Sequence, residues 1–288
     1  MNDITVATHN GNFHADDVFS IAALKSIIPS FKLIRTRDVE LISQADIVID
    51  VGGEYNADAG RFDHHQRGGA GERENGIPYS SFGLIWQKYG VEICKGDEVI
   101  ANAVDSALVS IIDAIDCGQV EGVYNGISLS QTIGMFNPTW QEDGDFDSCF
   151  NEAVEFAARI LSRFIASAEG ENNAKEIVAK AVESANDPRL IVLEKFTPWK
   201  EVVHALSDEA LFIIYPSSDR WIIHTVPAEL GSFQDRKPLP KQWAGLSDNE
   251  LQNITGIADA MFCHNNLFIA GAASIESINK MAAIALQE

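Results

Sequence analysis

Cysteines and long apolar runs are both scarce in this sequence of 288 residues. The four cysteines are too few and too widely spaced for a disulfide framework, so we expect reduced thiols. No run of about 18 apolar residues occurs, which argues against a transmembrane helix. The first residues lack the basic flank and the apolar stretch of a signal peptide. These absences predict a cytoplasmic protein that does not enter a membrane.

Basic residues are also scarce, because 21 Lys and Arg stand against 42 Asp and Glu, for a net charge of -21. A field of that sign repels phosphate backbones and argues against a general high-affinity nucleic-acid binder. It leaves open an enzyme that grips a phosphate locally, because divalent cations invert the electrostatics of a carboxylate cluster. The hydrophobic fraction of 46% predicts a folded core rather than disorder.

The first part of the chain alternates predicted strands and helices. Apolar, β-branched runs predict strands at residues 4–8, 32–36 and 46–51, with helices at 17–28 and 39–43 between them. This order predicts an α/β fold whose parallel sheet carries helices on both faces. A Gly-rich loop is predicted to follow at residues 52–76. Further helices are predicted at residues 79–89, 98–112, 147–168 and 171–184.

The last hundred residues change character and predict a second, smaller α/β domain. A turn signal at Asn186-Asp187-Pro188 marks the boundary, so we expect a catalytic domain at 1–186 and a substrate-binding domain at 187–288. Asn265-Asn266 predicts a tight turn between two strands, and Ser274 is suited to cap a final helix at 274–286. Strands are predicted at residues 190–193, 210–215, 221–226, 261–264 and 267–270.

Four polar clusters fall where a parallel sheet would bring them together. The first two follow predicted strands, the third lies on the Gly-rich loop, and the fourth ends a helix. Ligands of open α/β sheets bind at the carboxyl ends of the strands, so we expect the clusters to share one edge. The clusters are His9-Asn10-Gly11-Asn12-Phe13-His14-Ala15-Asp16-Asp17, Asp50-Val51-Gly52-Gly53, Asp63-His64-His65 and Asp113-Ala114-Ile115-Asp116.

Imidazole and carboxylate groups together suit divalent ions such as Mn²⁺, Zn²⁺, Fe²⁺ or Co²⁺. His14 and Asp16 are two residues apart, so in extended backbone their side chains point the same way. Asp50 is our candidate for a carboxylate shared by two ions. Such a pair can clamp a phosphoryl group and activate water near neutral pH. No nucleophile elbow, phosphate-binding P-loop or dinucleotide fingerprint competes with this interpretation.

These clusters resemble a known family. Asp63-His64-His65 and the upstream His/Asp cluster resemble the DHH phosphoesterase superfamily, which includes RecJ-type exonucleases and family II pyrophosphatases. The closer resemblance is to the Myg family within it, and it covers nearly the whole chain. Further matching motifs are Arg35-Thr36-Arg37-Asp38, Phe136-Asn137-Pro138-Thr139-Trp140, Pro198-Trp199-Lys200 and Gly231-Ser232-Phe233-Gln234-Asp235-Arg236.

The resemblance implies a hydrolase that uses two divalent ions, with Mn²⁺ expected and Mg²⁺, Zn²⁺ or Co²⁺ as alternatives. It also implies 3′–5′ exonuclease or phosphodiesterase activity on RNA or short oligonucleotides. His65 would face the scissile phosphate, and Asp63 would orient a histidine or bind metal. Asp17 stands where many relatives carry Glu, which implies a supporting role. The implied metal ligands are His9, His14, Asp16, Asp50, His64 and one of Asp113 and Asp116, which remain equal candidates.

Substrate contacts beyond the metal are expected on both sides of the domain boundary. Arg67 follows the Asp-His-His cluster and could neutralise phosphate charge. In the C-terminal domain, Arg236 could clasp a phosphate and the nearby Phe233 could stack on a base. Three further residues of the C-terminal domain are candidate substrate contacts: Ser232, His264 and Gly271. Ala270-Gly271 replaces an expected Gly-Gly, which weakens the case for close backbone approach there.

Two other functions remain open at this point. One is a pyrophosphatase-like hydrolase of phosphoanhydrides, although Lys and Arg are only scattered in the C-terminal domain. The other is a metal-binding regulatory protein without turnover. The expected partner is a short RNA, an oligonucleotide or a small phosphodiester, and a homodimer is compatible with the sequence.

Overall fold

The computed structural model describes residues 4–119 and 127–288. Two compact units divide the chain, Met1–Glu169 and Gly170–Glu288. The division falls 17 residues before the boundary that the sequence predicts after residue 186. The Asn186-Asp187-Pro188 signal marks the end of a helix, and that helix already belongs to the second unit from Gly170 onward.

A five-stranded sheet forms the centre of the first unit, with the strand order β2-β1-β3-β5-β4. β1 pairs in parallel with β2 and β3, and β3 pairs in parallel with β5. Only β4 runs antiparallel, beside β5. The elements in chain order are β1 (Ile4–Thr8), α1 (Ala15–Ile27), β2 (Phe31–Arg35), α2 (Val39–Gln44), β3 (Ile47–Ile49), β4 (Tyr55–Asn56) and β5 (Arg61–Phe62).

The predicted β-α-β-α-β order is confirmed, and the structure adds a strand pair within the predicted Gly-rich loop. β4 and β5 are two residues each, too short to show the alternation by which strands are recognised in a sequence. A 3₁₀ turn, Ala57–Ala59, joins them and ends at Gly60, whose φ is 70°. Because β5 extends the sheet beside β3, the residues after it reach the same edge as those after β3.

Helices cover both faces of this sheet, as predicted. One face carries a large core in which α1 packs against several helices through Phe19, Ile21 and Leu24. The other face carries a smaller core formed by Ala7, Val48 and neighbours. The further helices are α3 (Ser81–Ile93), α4 (Glu98–Val104), a π-helical turn (Asp105–Val109), α5 (Ser110–Asp116), α6 (Leu129–Gly134) and α7 (Phe146–Glu183).

The two helical stretches predicted at 147–168 and 171–184 form one continuous helix, α7. Gly170 lies within it, because a single glycine costs a helix only about 1 kcal/mol relative to alanine. The last turns of α7 place Val178 in a core of the second unit. No helix in residues 4–119 and 127–288 is long and apolar enough to cross a bilayer.

The second unit is a smaller α/β domain, as predicted, around a sheet with the order β6-β7-β8-β10-β9. β6 and β7 are parallel, and the other neighbours are antiparallel. Residues 264–268 join the last two strands, and the residue with positive φ there is Leu267. The elements are β6 (Leu190–Val192), α8 (Lys200–Leu206), β7 (Phe212–Ser217), β8 (Arg220–Thr225), α9 (Asp248–Thr255), β9 (Ala260–Cys263), β10 (Ile269–Ala272) and α10 (Ile275–Gln287).

Candidate metal centre

His9 and Asp50 meet because they follow neighbouring parallel strands. Thr8 of β1 is in register with Ile49 of β3, and each is the last residue of its strand. The next residues therefore emerge side by side, and His9 Nε2 lies 3.2 Å from Asp50 Oδ2. Asp50 adopts a φ of 55°, in the left-handed region that Asp tolerates better than most residues. Both side chains are almost fully buried.

The start of α1 brings further ligand-type side chains to this edge. His14 is the N-cap residue, and its backbone N–H donates to Asp17 Oδ1 at 2.9 Å. The other oxygen of Asp17 lies 3.3 Å from His9 Nε2. Asp17 therefore caps the helix and orients a histidine, in keeping with the supporting role that the resemblance implies. Asp16, in the same turn, is completely buried.

The Asp63-His64-His65 cluster follows β5 and folds over the same edge. Asp63 Oδ2 accepts the backbone N–H of Gly53 at 2.6 Å, and Asp63 Oδ1 lies 2.8 Å from His65 Nδ1. His64 Nε2 lies 3.4 Å from Asp50 Oδ1 and 3.8 Å from Asp16 Oδ2. His65 is 60% exposed, so its ring faces the opening, whereas His64 points inward.

The two acids of the fourth cluster lie in different surroundings. Asp116 Oδ2 is 3.3 Å from His64 Nε2, which places it in the cluster. Asp113 is instead 2.7 Å from Arg73 Nη1 and accepts the backbone N–H of Gly83 at 3.0 Å. A Cβ atom at position 83 would overlap Asp113 Oδ2, so only glycine fits there. Asp113 is thus neutralised by its own cation and lies apart from the other ligand-type groups.

Among the described residues, four sets of ligand atoms lie close enough together to hold a metal ion, with all distances within a set at or below 4.8 Å. Asp50 belongs to two sets, one with His9 and His14 and one with both histidines of the third cluster. Both oxygens of Asp16 are buried without a hydrogen-bond partner among the described residues. Buried carboxylate oxygens without a donor are costly unless a cation satisfies them, so this donor set fits bound metal.

Crowding of carboxylates raises several acid pKa values at this edge. Burial and the charges of Asp50 and Asp116 raise the pKa of Asp16 well above its usual range. Burial raises the pKa of Asp17 to about 7, and the charge of His9 only partly opposes this shift. Burial also raises the pKa of Asp116. Burial and crowding thus disfavour the charged form of these carboxyl groups, a cost that a bound divalent cation would offset.

The pKa values of Asp50 and His64 shift so that the charged form of each group is favoured. Burial disfavours the charged form of Asp50, but hydrogen bonds from His64 and His9 outweigh it and lower the pKa of Asp50 below its usual range. Burial also opposes protonation of His64, yet hydrogen bonds with Asp50 and Cys117 raise the pKa of His64 to about 10. The imidazoles of His9 and His64 therefore stabilise the negative charge of Asp50. Asp50 is the residue that two candidate metal sets share.

Two cavities open onto the cluster. The larger, about 620 Å³, is lined by residues of the cluster together with Ser130 and Gln131 of α6. The smaller, about 270 Å³, is lined by His9, Gly52 and neighbours, including Arg37. Arg37 is exposed, so its guanidinium can meet an anion from solvent. Asp50, His14 and His65 line both cavities.

Several residues at the centre were not predicted from the sequence. Cys117 Sγ lies 3.8 Å from His64 Nδ1, and Ser81 Oγ donates to Asp50 Oδ1 at 3.0 Å. The position of Cys117 directly after Asp116 was a signal that could have identified it. Ser81 could not be identified in this way, because it lies 31 residues from Asp50 in the chain. All four cysteines are free, as the sequence predicts.

The predicted catalytic Arg67 is exposed, two residues beyond His65. The predicted substrate contacts of the second unit lie in varied surroundings. Arg236 donates to the carbonyl oxygens of Ser207 and Ala210 at 2.7 and 3.1 Å, so its guanidinium is used within the fold. Gly271 lies in β10, where an added Cβ would be 2.5 Å from Phe262 Cε1, which accounts for the glycine by packing.

The other three candidates lie on the surface or in turns. Phe233 is completely exposed, and Ser232 Oγ accepts the backbone N–H of Gln234 at 3.0 Å. His264 Nδ1 accepts the backbone N–H of Asn266 at 3.1 Å, and its ring packs on Phe268. These contacts cap local turns, and their role toward a substrate stays a prediction.

The fold and the cluster together define a class of protein. A parallel sheet with helices on both faces carries a His/Asp centre at the carboxyl ends of its strands, the place where open α/β sheets bind ligands. The donor types suit divalent ions and the centre opens to solvent through two cavities, as a metal-dependent hydrolase requires.

The chain belongs to the MYG1_exonuc family, described as Uncharacterised protein family (UPF0160), whose model matches residues 5–286. This membership confirms the Myg-family resemblance drawn from the sequence and, with it, the prediction of an enzyme of the hydrolase class. The chain is 30% identical to the MYG1 protein of Dictyostelium discoideum, covering 98% of this chain and 96% of that one. It is 31% identical to the MYG1 exonuclease of Rattus norvegicus, covering 98% of this chain and 84% of that one.

A solved structure was also found, that of RecJ in complex with Mg²⁺ from Thermus thermophilus. The match has 12% identity and a TM-score of 0.29, and it covers 99% of this chain and 50% of the RecJ chain.

Proposed function

We propose that this protein is a divalent-metal-dependent phosphodiester hydrolase that works as a 3′–5′ exonuclease on RNA or short oligonucleotides. The observation that carries the proposal is the pair of buried Asp16 oxygens that have no hydrogen-bond partner in residues 4–119 and 127–288. They lie near Asp50, a carboxylate that two candidate metal sets share. We assign two ions, with Mn²⁺ as the expected metal. The proposed ligands are His9, His14, Asp16, Asp50, His64 and Asp116. Asp113 is left out because Arg73 neutralises it.

Bound divalent ions would polarise the phosphoryl oxygens and lower the pKa of water. The side chains of the protein supply the rest of the chemistry. His65 faces the opening and is held by Asp63, so its imidazole can donate a hydrogen bond or a proton to the phosphate. Arg37 lines the smaller cavity and Arg67 lies two residues beyond His65; both are exposed and can neutralise negative charge on a phosphate. Asp17 and Ser81 hold His9 and Asp50 in place.

An exposed tryptophan close in sequence to a segment that contacts Phe13 supports a nucleic-acid substrate. Trp140 is 91% exposed, and three residues earlier Asn137 binds both backbone groups of Phe13 at 3.0 and 2.9 Å. Phe13 lines the larger cavity next to His14. An exposed indole on a segment tied to the catalytic edge can stack on a base without regard to its sequence. Relatives named MYG1 exonuclease agree with this substrate class.

The net charge of -21 favours short substrates, because a long phosphate backbone would meet repulsion over much of the surface. The proposed ligand set consists of three acids and three histidines. A phosphate would therefore be attracted only at the centre itself, where these ligands hold divalent ions. The cytoplasmic location and a homodimer stay predictions.

The decisive experiment uses metal-stripped protein and a 5′-labelled short RNA, with and without Mn²⁺. We expect a ladder of products shortened from the 3′ end only when Mn²⁺ is present. Asp50→Asn should lack this activity because it removes the shared ligand. Asp58→Asn is the matched control, because this side chain is 98% exposed and only pairs with Lys88.

Each other outcome identifies a different function. Shortening that persists in Asp50→Asn would rule out the proposed centre. Phosphate release from pyrophosphate without RNA shortening would favour the phosphoanhydride hydrolase. Tight Mn²⁺ binding that depends on Asp50, with no turnover of either substrate, would favour a regulatory protein.

A further inference from the structure

Another cavity, within the second unit, has a chemistry unlike that of the metal centre. It encloses about 380 Å³, close to the lower end of the range of about 300–1,000 Å³ typical of small-molecule sites. Aromatic side chains and two lysines line much of it: Phe196, Trp199, Tyr215, His224, Lys175 and Lys200.

The aromatic rings form a connected box. Phe196 contacts Tyr215 edge to face with ring centroids 5.2 Å apart, and Trp199 contacts His224 in the same way at 5.4 Å. Trp199 and Tyr215 are 3% and 6% exposed, so they form fixed walls. Phe196 is 61% exposed, which leaves one ring open to a planar ligand. Bases stack on such open rings, because every base has a π face.

A polar pair lies inside this box. Tyr215 Oη and His224 Nδ1 are 3.0 Å apart and share one hydrogen bond. Burial and the nearby charge of Lys200 lower the pKa of His224 to about 4, so the imidazole is neutral at pH 7. A neutral imidazole and a phenol offer hydrogen bonds to the edge of a heterocycle without adding charge.

The charges around the cavity favour one phosphate rather than several. Lys200 Nζ lies 5.9 Å from the centroid of the Trp199 ring, which places its ammonium group beside the aromatic walls. Glu171 and Glu201 also line the cavity. Their negative charges oppose a polyphosphate, whereas the ammonium groups of Lys175 and Lys200 can pair locally with the oxygens of a single phosphate group.

We propose that this cavity binds a nucleoside monophosphate, with the base stacked on Phe196 and the phosphate beside Lys200. The cavity itself requires only an aromatic heterocycle that carries one phosphate. The choice of a nucleotide rests on the proposed function, because a nucleoside monophosphate is the product that an exonuclease releases. Binding at this cavity would then let the enzyme retain or sense its product.

The test is calorimetric titration of the full chain with AMP in the presence of a chelator, which removes any contribution from bound metal. We expect saturable binding that Phe196→Ala weakens about 5- to 150-fold, the range for loss of one base–aromatic stack of about 1–3 kcal/mol. Lys200→Met should weaken AMP binding while leaving adenosine binding unchanged. ATP should bind more weakly than AMP.

Two matched variants separate this cavity from other surfaces. Ile254→Ala removes an apolar side chain of similar exposure outside the cavity, and Asp50→Asn alters the metal centre; neither should change AMP binding. Phe196 is largely exposed, so its replacement leaves the core intact.

Three results would overturn the proposal. One is no AMP binding at up to about 10 mM, a range weaker than most specific sites. Another is binding that Asp50→Asn abolishes and Phe196→Ala leaves intact, which would place the nucleotide at the metal centre. The third is Phe196-dependent binding of tetramethylammonium without AMP binding, which would identify a cage for cations. RNA shortening by wild-type protein without AMP binding would refute this proposal and leave the proposed function standing.

Discussion

The metal centre of the first unit and the aromatic cavity of the second unit differ in how their polar groups are satisfied. At the metal centre, Asp16 has two buried oxygens without a hydrogen-bond partner among the described residues, and its neighbours are other carboxylates. In the cavity, His224 and Tyr215 share a hydrogen bond, aromatic rings form much of the wall, and two lysines are matched by two glutamates. The carboxylates of the first site call for a cation beyond what the neighbouring side chains supply, whereas the polar pair of the second site is hydrogen-bonded within the protein.

This difference predicts that metal binding strongly changes the stability of the fold at the first site. Nucleotide binding at the second site should change stability much less. A ligand that binds only the folded state stabilises it, and the gain is largest where the free site carries an electrostatic cost. Metal at the first site removes such a cost. A nucleotide in the second site adds contacts to groups that are already at low energy.

The largest expected effect on the free energy of unfolding comes from removing Arg73, the cation that pairs with the buried Asp113. Arg73→Met leaves Asp113 buried without its partner, and breaking a buried pair in this way costs about 3–5 kcal/mol. Urea unfolding should show this loss of stability. The double variant Arg73→Met/Asp113→Asn should recover part of it, because the uncompensated charge is gone. An unchanged unfolding midpoint in Arg73→Met would contradict the role of this pair.

Metal should stabilise the first unit by a comparable amount. At a free Mn²⁺ concentration of about 100 times the Kd, linkage predicts about 2.7 kcal/mol of stabilisation. Asp16→Asn should remove most of this gain and make the metal-free protein more stable, because it replaces a buried carboxylate by a neutral group. Thermal unfolding with and without Mn²⁺ measures both effects. Asp58→Asn is the control, and a metal-free Asp16→Asn protein less stable than wild type would be the contrary result.

The two sites should also respond to pH in opposite directions in the metal-free protein. Burial raises the pKa of Asp17 from 3.8 to about 7, so its stabilising contribution is present below pH 3.8 and is lost as pH rises toward 7. Burial lowers the pKa of His224 from 6.5 to about 4, so its contribution is present above pH 6.5 and is lost as pH falls toward 4.

Urea unfolding between pH 4 and 7 can separate these contributions through variants. The difference between wild type and His224→Asn should change by on the order of 1–3 kcal/mol as pH falls across this window, and the difference for Asp17→Asn should change as pH rises. A His224→Asn difference that is flat with pH would show that this imidazole titrates normally.

The smallest expected effect tests whether the Tyr215–His224 hydrogen bond of the cavity is independent of the metal centre. Tyr215→Phe removes one hydrogen bond to His224 and should cost about 1 kcal/mol. Equilibrium unfolding measures this cost. Mn²⁺ stabilisation should be the same in this variant as in wild type. A loss of metal stabilisation in Tyr215→Phe would mean that the two sites are coupled.

The sequence predicted the meeting of His9 and Asp50 because the carboxyl ends of parallel strands share an edge, a rule that needs only strand order. It could not separate Asp113 from Asp116, since residues three apart on a helix lie on nearby positions of one face. The choice depends on Arg73, which is distant from Asp113 in the chain and meets it only in the fold. Gly271 was likewise ambiguous, because the Phe262 ring that excludes a side chain there belongs to another strand.

The aromatic cavity was not predicted from the sequence. Its residues come from a loop, helices and two strands, and each has an ordinary local explanation as a core or surface residue. Pro198-Trp199-Lys200 stood out only as part of a family resemblance. Local patterns can predict elements, but a box of rings exists only after strands β7 and β8 pair and bring Tyr215 beside His224.

The glycines between His65 and Arg73 bear on where the chain can accept inserted residues. Gly68, Gly69 and Gly71 have φ values of 93°, 70° and 97°, and nothing in the described part of the chain lies within 4 Å of where their Cβ atoms would be. Backbone conformation rather than lack of side-chain space therefore favours glycine at these three positions, and the segment is held at Gly71, whose carbonyl oxygen accepts the backbone N–H of Tyr79 at 3.1 Å. Insertions there should be tolerated as long as Arg73 still reaches Asp105 and Asp113, so this stretch is the natural place to graft a reporter peptide or a tag close to the catalytic edge.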